Sequence, residues 1–334
     1  FNQDISSWNV SKVLDMERLF DNAESFNKDI SSWDVSGVLN MNRVFVYALS
    51  FNQDLSIWNT SSATDMAYMF AHADNFNQDL INWDVSSVVD FQGMFQLAVA
   101  FNGDLSGWNP ISADNMDNMF VQANSFEGIG LESWNLSNVT STWRMFRQTE
   151  VFNADISGWD VSNVEDMGEM FRMSLSFNQN ISEWDISKVT SFNNMFFFGA
   201  GINIALDAQN QCAIQNAWSS NNNWPYNWTE NIGCDGACFS NATEDDCGVC
   251  DSNSGNDNTT CTQDCAGTWD GTATEDCNNV CNGSATEDDC GVCDNNSGND
   301  NTTCSQDCAG TWDGTATEDC NNVCNGSATE DDCG

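Results

Sequence analysis

Positive charge is scarce in this chain. Its 334 residues carry eight Lys and Arg against 50 Asp and Glu, a formal charge of −42. The eight are Lys12, Arg18, Lys28, Arg43, Arg144, Arg147, Arg172 and Lys188, and none follows. Such a surface repels nucleic acid and anionic membrane, because phosphate binding depends on Lys and Arg neutralising charge. Cations are its natural counterpart. Histidine is scarcer still: His72 stands alone, so neither a His-based nucleophile relay nor a His metal site can be assembled. The chain is not expected to be an enzyme. No apolar run approaches the roughly 20 residues that cross a bilayer, so no membrane insertion is expected of this segment. No secretory leader is read in this segment, and targeting signals are expected to lie outside it. The chain opens on a repeat boundary at Phe1 and stops inside a repeat at Gly334, which reads as a piece of something longer.

What the chain has instead is periodicity. Phe recurs at Phe1, Phe26, Phe51, Phe76, Phe101, Phe126, Phe152 and Phe177, and Trp follows seven or eight residues later at Trp8, Trp33, Trp58, Trp83, Trp108, Trp134, Trp159 and Trp184. Each copy closes on an apolar pair, from Leu19-Phe20 to Met195-Phe196. Eight copies at a period of 25, with one extra residue in the sixth, define a stack of coils. Within a copy, Ile5-x-x-Trp8-x-Val10-x-x-Val13 has the spacing of a leucine-rich-repeat strand. Met16, Leu19, Phe20 and Ala23 then fall on one helical face, and Thr64-Asp65-Met66 suits a helix N-cap. The expected fold is an α/β solenoid with one short strand and one short helix per 25-residue coil. Coils one strand spacing apart, roughly 4.8 Å, give a column on the order of 40 Å long. Trp8 shares the parity of Val10, so the Trp ladder is expected to point into the core and not to serve as exposed sugar platforms.

The segment Phe1 to Phe20 resembles the repeats of BspA-like leucine-rich surface proteins, F-N-x-D-[IL]-S-x-W-[DN]-V-S-x-V-x-x-M-x-x-M-F, over about the first 200 residues. That resemblance implies an extracellular, often cell-surface protein with adhesive or interaction roles. The usual Asn-ladder position is Val13 here, and a Ser ladder (Ser11, Ser36, Ser61, Ser86, Ser137, Ser162, Ser187) is expected to satisfy the turn amides instead. Pro110-Ile111 predicts a local irregularity in the fifth copy. Asp4, Asp29, Asp54, Asp79, Asp104 and Asp155 form a further ladder, expected to cap turns ahead of binding a cation.

Residues 201–233 read as the cap that covers the last coil, with an amphipathic helix over Leu206 to Trp218 followed by Trp224-Pro225-Tyr226-Asn227-Trp228. From residue 234 to residue 334 a second repeat of period 43 takes over, disulfide-rich and mostly irregular. The cysteines are Cys212, Cys234, Cys238, Cys247, Cys250, Cys261, Cys265, Cys277, Cys281, Cys290, Cys293, Cys304, Cys308, Cys320, Cys324 and Cys333. With so few large apolar residues there, cross-links must supply order. Zinc is the rival, since Cys247-x2-Cys250 has ligand-like spacing, but disulfides suit the acidic, His-free setting better. Their pairing stays open. The region is loosely similar to thrombospondin type-3 repeats, which bind calcium. Asp251, Asn253, Asp257, Asp294, Asn296 and Asp300 place oxygen ligands around a glycine in a way that suits calcium. Glycosylation sequons fall at Asn227, Asn241, Asn258, Asn282, Asn295, Asn301 and Asn325.

The sequence thus points to a structural or adhesive extracellular protein, with copies of itself, other surface proteins or glycans as partners. The alternative is a recognition module that binds protein or glycan on one face of the solenoid.

Overall fold

Short polar residues set the path of each coil. Asp4 Oδ1 accepts the Ser6 N–H at 3.0 Å, Asn9 Oδ1 that of Ser11 at 3.1 Å, and Asp15 Oδ1 that of Glu17 at 2.8 Å. Each is an Asx turn, in which the side chain imitates a backbone acceptor two residues ahead. The same three bonds recur in the second coil at Asp29, Asp34 and Asn40. The computed structural model describes residues 1–199, 205–252, 261–298 and 300–327.

The expected helix does not form. Among the described residues the coils hold no α-helix and no strand longer than a single bridge, only one 3-10 turn at Leu131–Ser133. A helix would need each amide for itself, and these coils share theirs. The N–H groups of Leu19, Asp21 and Ala23 close back onto Met16, Arg18 and Phe20 at 3.0 to 3.1 Å. Those of Met16, Arg18, Phe20 and Asn22 donate at 2.8 to 3.0 Å to Asn40, Asn42, Val44 and Val46 of the next coil. Alternate amides therefore close turns and bind the column. The geometry puts Arg18 and Asn22 in the left-handed region, at φ 57° and 58°, a cost of roughly 1 kcal/mol each that the cross-coil bonds offset. Parallel bridges join Asp15 to Asn40, Asn40 to Asp65 and onward to Ser191, so the ladder lies after the predicted strand. The i, i+3, i+4 spacing that imitates a helix is the spacing of consecutive four-residue turns.

Aromatic ladders fill the interior. Phe20, Phe45, Phe70, Phe95 and Phe120 stack with centroids 5.3 to 5.6 Å apart. Each also lies about 4 Å from the Phe that opens the following coil, as with Phe45 and Phe51. Trp33 through Trp184 are buried, whereas Trp8 in the first coil is 57% exposed. Most of the indoles also anchor the coils: Trp33 Nε1 donates to the Ile5 carbonyl, Trp58 to Ile30, Trp83 to Leu55 and Trp108 to Leu80.

One expected detail comes out differently and another is present as expected. The serine ladder supplies donors, not acceptors: Ser11, Ser36 and Ser61 each give their N–H to an Asn or Asp two residues earlier. The acceptor ladder lies elsewhere, where Asn2 Oδ1 takes the Asn27 N–H, Asn27 that of Asn52, Asn52 that of Asn77 and Asn77 that of Asn102. Pro110-Ile111 brings the expected local irregularity to the fifth coil: the Ile111 N–H bonds the Asn109 backbone carbonyl at 2.8 Å, where the equivalent serines bond an Asn or Asp side chain, although the Ala113 N–H still bonds the Pro110 carbonyl at 3.0 Å. A second irregularity falls in the sixth coil, at its extra residue. There Gly130 has φ 90°, and a Cβ on it would lie 2.1 Å from the Ser106 nitrogen. Glycine is required there.

Helix α1, Ala208–Trp218, closes the column, with Asp207 as N-cap accepting the Asn210 N–H at 2.8 Å. Trp218 stacks on Trp184, and the Tyr226 hydroxyl accepts the Phe196 N–H at 2.8 Å. Burial pushes the Tyr226 phenol up to about 12.

The chain divides into two compact units, Phe1–Ile232 with Gly236–Phe239, and Gly233–Asp235 with Ser240–Gly334. Residues 236–239 join the first unit because Cys238 is bonded to Cys212 of α1. The second unit repeats a small antiparallel hairpin, β1 (Thr243–Glu244) with β2 (Cys250–Asp251), then β3 (Thr286–Glu287) with β4 (Cys293–Asp294).

Candidate functional site

Three groups of residues carry chemistry: the cysteine repeats, the acidic loops between them, and one face of the coils. The cysteines of the described residues are paired. Within the second unit the bridges are Cys234–Cys250, Cys247–Cys261, Cys265–Cys281, Cys277–Cys293, Cys290–Cys304 and Cys308–Cys324. Cys320 is disulfide-bonded too, and Cys333 lies outside the described residues. The pairing that the sequence left open is interlaced: Cys247 sits inside the loop closed by Cys234–Cys250 and bonds beyond it. Cystines of this number are those of an extracellular or secreted protein.

Many carboxylates of this unit serve the backbone. Asp264 accepts N–H groups from Ala266, Thr268 and Ala273, and Asp276 those of Asn278, Val280 and Ala285. Those donors, Thr268 foremost for Asp264 and Val280 for Asp276, hold both acids below the usual carboxylate range. They tighten the loops that the disulfides close.

The calcium candidates fare unequally. Asp294 and Asp300 meet at one polar concavity of about 310 Å³, with Asn295, Ser297, Ser284 and Thr286 around it. Asn296 is drawn aside, giving its N–H to Asp294 Oδ1 and taking that of Gly298. Asp251 is half-buried in β2, while Asn253 and Asp257 lie outside the described residues. Among the described residues no three His, Cys, Asp or Glu side chains are gathered as a metal site. Of the sequon asparagines, Asn227, Asn241, Asn282, Asn295 and Asn325 are exposed. Asn301 is tied to Asp288 and Asp289, and Asn258 lies outside the described residues.

The third group falls on the variable positions 17-18 and 21-25 of each copy, the reading surface of the recognition alternative, although its pairs across coils were not singled out from sequence. All five arginines, the lone histidine and both coil tyrosines stand on the turns that replace the expected helix, at places equivalent to Arg18, Asp21 or Asn22. Several touch partners 25 residues away. Arg43 lies over the Tyr68 ring at 4.8 Å, and Tyr47 stacks on His72 at 4.2 Å. Burial pulls the His72 imidazole below its usual range. Arg144 Nε and a terminal nitrogen donate to Glu169 at 2.9 and 3.1 Å. Arg147 and Arg172 each come within 3.2 Å of the same carboxylate. Arg144 also lies 3.8 Å over Trp143, and Arg172 5.1 Å over Phe197. The signal was present in the numbering: subtracting 25 from Glu169 or Arg172 gives Arg144 or Arg147.

No curated protein and no solved structure matches the chain. A protein family does, over residues 1–70, 56–130 and 114–223, stretches that run together across two thirds of the 334 residues. The chain belongs to the family described as Mycoplasma protein of unknown function, DUF285.

Proposed function

We propose that this chain is a structural or adhesive surface protein in which a rigid solenoid is carried on a disulfide-stapled second unit, and that it performs no chemistry of its own. One observation carries the reading: almost every distinctive side chain is spent on repetition. The aromatic ladders, the asparagine ladder and the interlaced cystines all join one copy to the next, which suits a part that must stay stiff under load. The lone His72 is stacked on Tyr47, one more pairing of side chains from adjacent coils. Calcium is a proposed stiffener of the second unit through Asp294 and Asp300. Two carboxylates suit only the weak affinity of extracellular modules, about 10⁻⁴ to 10⁻³ M.

The test is electron microscopy and bead adhesion of the full chain, with and without reductant and calcium chelator. Fibres or bead clusters that dissolve on reduction support the reading. A monodisperse chain that adheres to nothing overturns it.

A further inference from the structure

We propose that the arginine face of coils six and seven binds a polysaccharide bearing carboxylate or sulfate groups. Arg144, Arg147 and Arg172 surround a single carboxylate, Glu169, itself buried. Three guanidinium groups against one acid leave two positive charges uncompensated, in a chain whose formal charge is −42. The groups that set the proton affinity of Arg147 are burial first, then Arg144, Glu169 and Arg172, with no second acid among them. The Arg144, Arg147 and Arg172 side chains nevertheless stay 29%, 26% and 26% exposed, so the cluster keeps positive charge open to a ligand. A planar fork matches a carboxylate or sulfate better than an ammonium does.

The surroundings select the carrier. Backbone groups on this face are already used along the column: Arg144, Phe146 and Gln148 give their N–H groups to Gly168, Met170 and Arg172. An acidic peptide therefore finds no free edge to pair with by strand addition. A sugar acid needs only side-chain donors and apolar ring faces. Gln148 is half-buried beside Arg172, and Trp143 and Phe197 supply aromatic surface next to Arg144 and Arg172. Lysines are absent from the cluster, and Lys12, Lys28 and Lys188 lie on other turns of the coil.

The inference rests on reading the chain as an extracellular adhesive protein. A chain that clusters with its own copies but ignores polysaccharide would sink the inference and leave that reading standing. The test uses the immobilised full chain at about 0.15 M salt, where only charges within about 8 Å act strongly. The probes are polygalacturonate, dextran sulfate, neutral dextran and poly-glutamate. Both anionic polysaccharides, or one of them, should bind at least about ten-fold tighter than neutral dextran, and the tighter one identifies the group recognised. Arg147→Gln with Arg172→Gln should lose about ten-fold, the scale of one charge-assisted contact. Glu169→Gln should gain several-fold, a response that a purely structural cluster would not give. Lys12→Gln with Lys188→Gln should change nothing. Equal binding of neutral dextran, tighter binding of poly-glutamate, no gain in Glu169→Gln, or an equal loss in the lysine variant overturns the proposal.

Discussion

Trp218 of α1 stacks on Trp184 of the eighth coil with ring centroids 6.3 Å apart and planes 23° apart. The helix thus provides the ninth rung of the indole ladder although it has none of the coil's backbone. Trp218 is fully buried, and Trp224 meets it edge-on at 5.1 Å. Trp218→Ala should open a cavity above Trp184 and cost about 3 to 5 kcal/mol, read as a lower urea midpoint of the first unit. A loss under 1 kcal/mol would mean that the cap is decoration.

The indoles differ in one respect that mutation can read. Trp83 Nε1 donates to the Leu55 carbonyl at 2.9 Å. Trp134 Nε1 is buried with no partner, in the coil that carries the extra residue and the left-handed Gly130. Trp83→Phe removes one of two bonds to the Leu55 carbonyl, which keeps that of the Trp58 N–H, and Trp134→Phe removes none. Both lose similar ring area, so Trp83→Phe should be the more damaging by about 0.5 to 1.5 kcal/mol. Paired denaturation curves settle the comparison, and equal losses refute it.

The register of the stack was legible because identical residues 25 apart can only meet as ladders, and Trp33 to Trp184 are buried as their parity with Val10, Val35 and their equivalents requires. The helix was misread at Met16, Leu19, Phe20 and Ala23 because consecutive turns and an α-helix place apolar residues at nearly the same intervals. Hydrophobic spacing cannot say whether the Arg18 amide bonds its own coil or Asn42 of the next. The acceptor ladder at Asn2 and Asn27 was missed for a related reason. The residue is conspicuous in every F-N pair, but only stacking reveals that its side chain reaches a neighbour's backbone. The cystine pairing was beyond reach, since each Cys has several partners at similar loop lengths.

Acid should loosen the seventh coil first. Hydrogen bonding from Arg144, with the charges of Arg144, Arg172 and Arg147 behind it, holds the Glu169 carboxyl below its ordinary 4.5. The unfolded chain therefore binds this proton more readily than the folded one. The stabilisation is fully present above about pH 4.5 and is lost as pH falls through the lower folded value. Protonation also leaves three guanidinium groups facing one another. Urea midpoints measured from pH 7 to pH 3 should fall less steeply in Glu169→Gln than in the parent chain. Parallel slopes would show that the other acids, such as Asp34 and Asp84 beneath their serines, carry the whole effect.

Reduction should separate the two units. Among the described residues the second unit buries only Ala242 and Ala285 as apolar side chains, far too little to hold loops against chain entropy. Its order depends on cystines that interlock, since Cys277–Cys293 and Cys290–Cys304 cross. The coils need none: their hydrophobic core runs from Ile5 to Trp218 without a disulfide between coils. Dithiothreitol should therefore make residues beyond 240 sensitive to protease while tryptophan emission from the coils stays blue. The first unit has one disulfide of its own, the Cys212–Cys238 bridge that ties α1 to residues 236–239, and burial of Cys212 shields it from the reductant. Replacing both cysteines by serine should cost the cap about 2 to 4 kcal/mol and red-shift part of the emission as Trp218 frees Trp184. If reduction instead melted the coils together with the second unit, aromatic stacking would not be what holds the column.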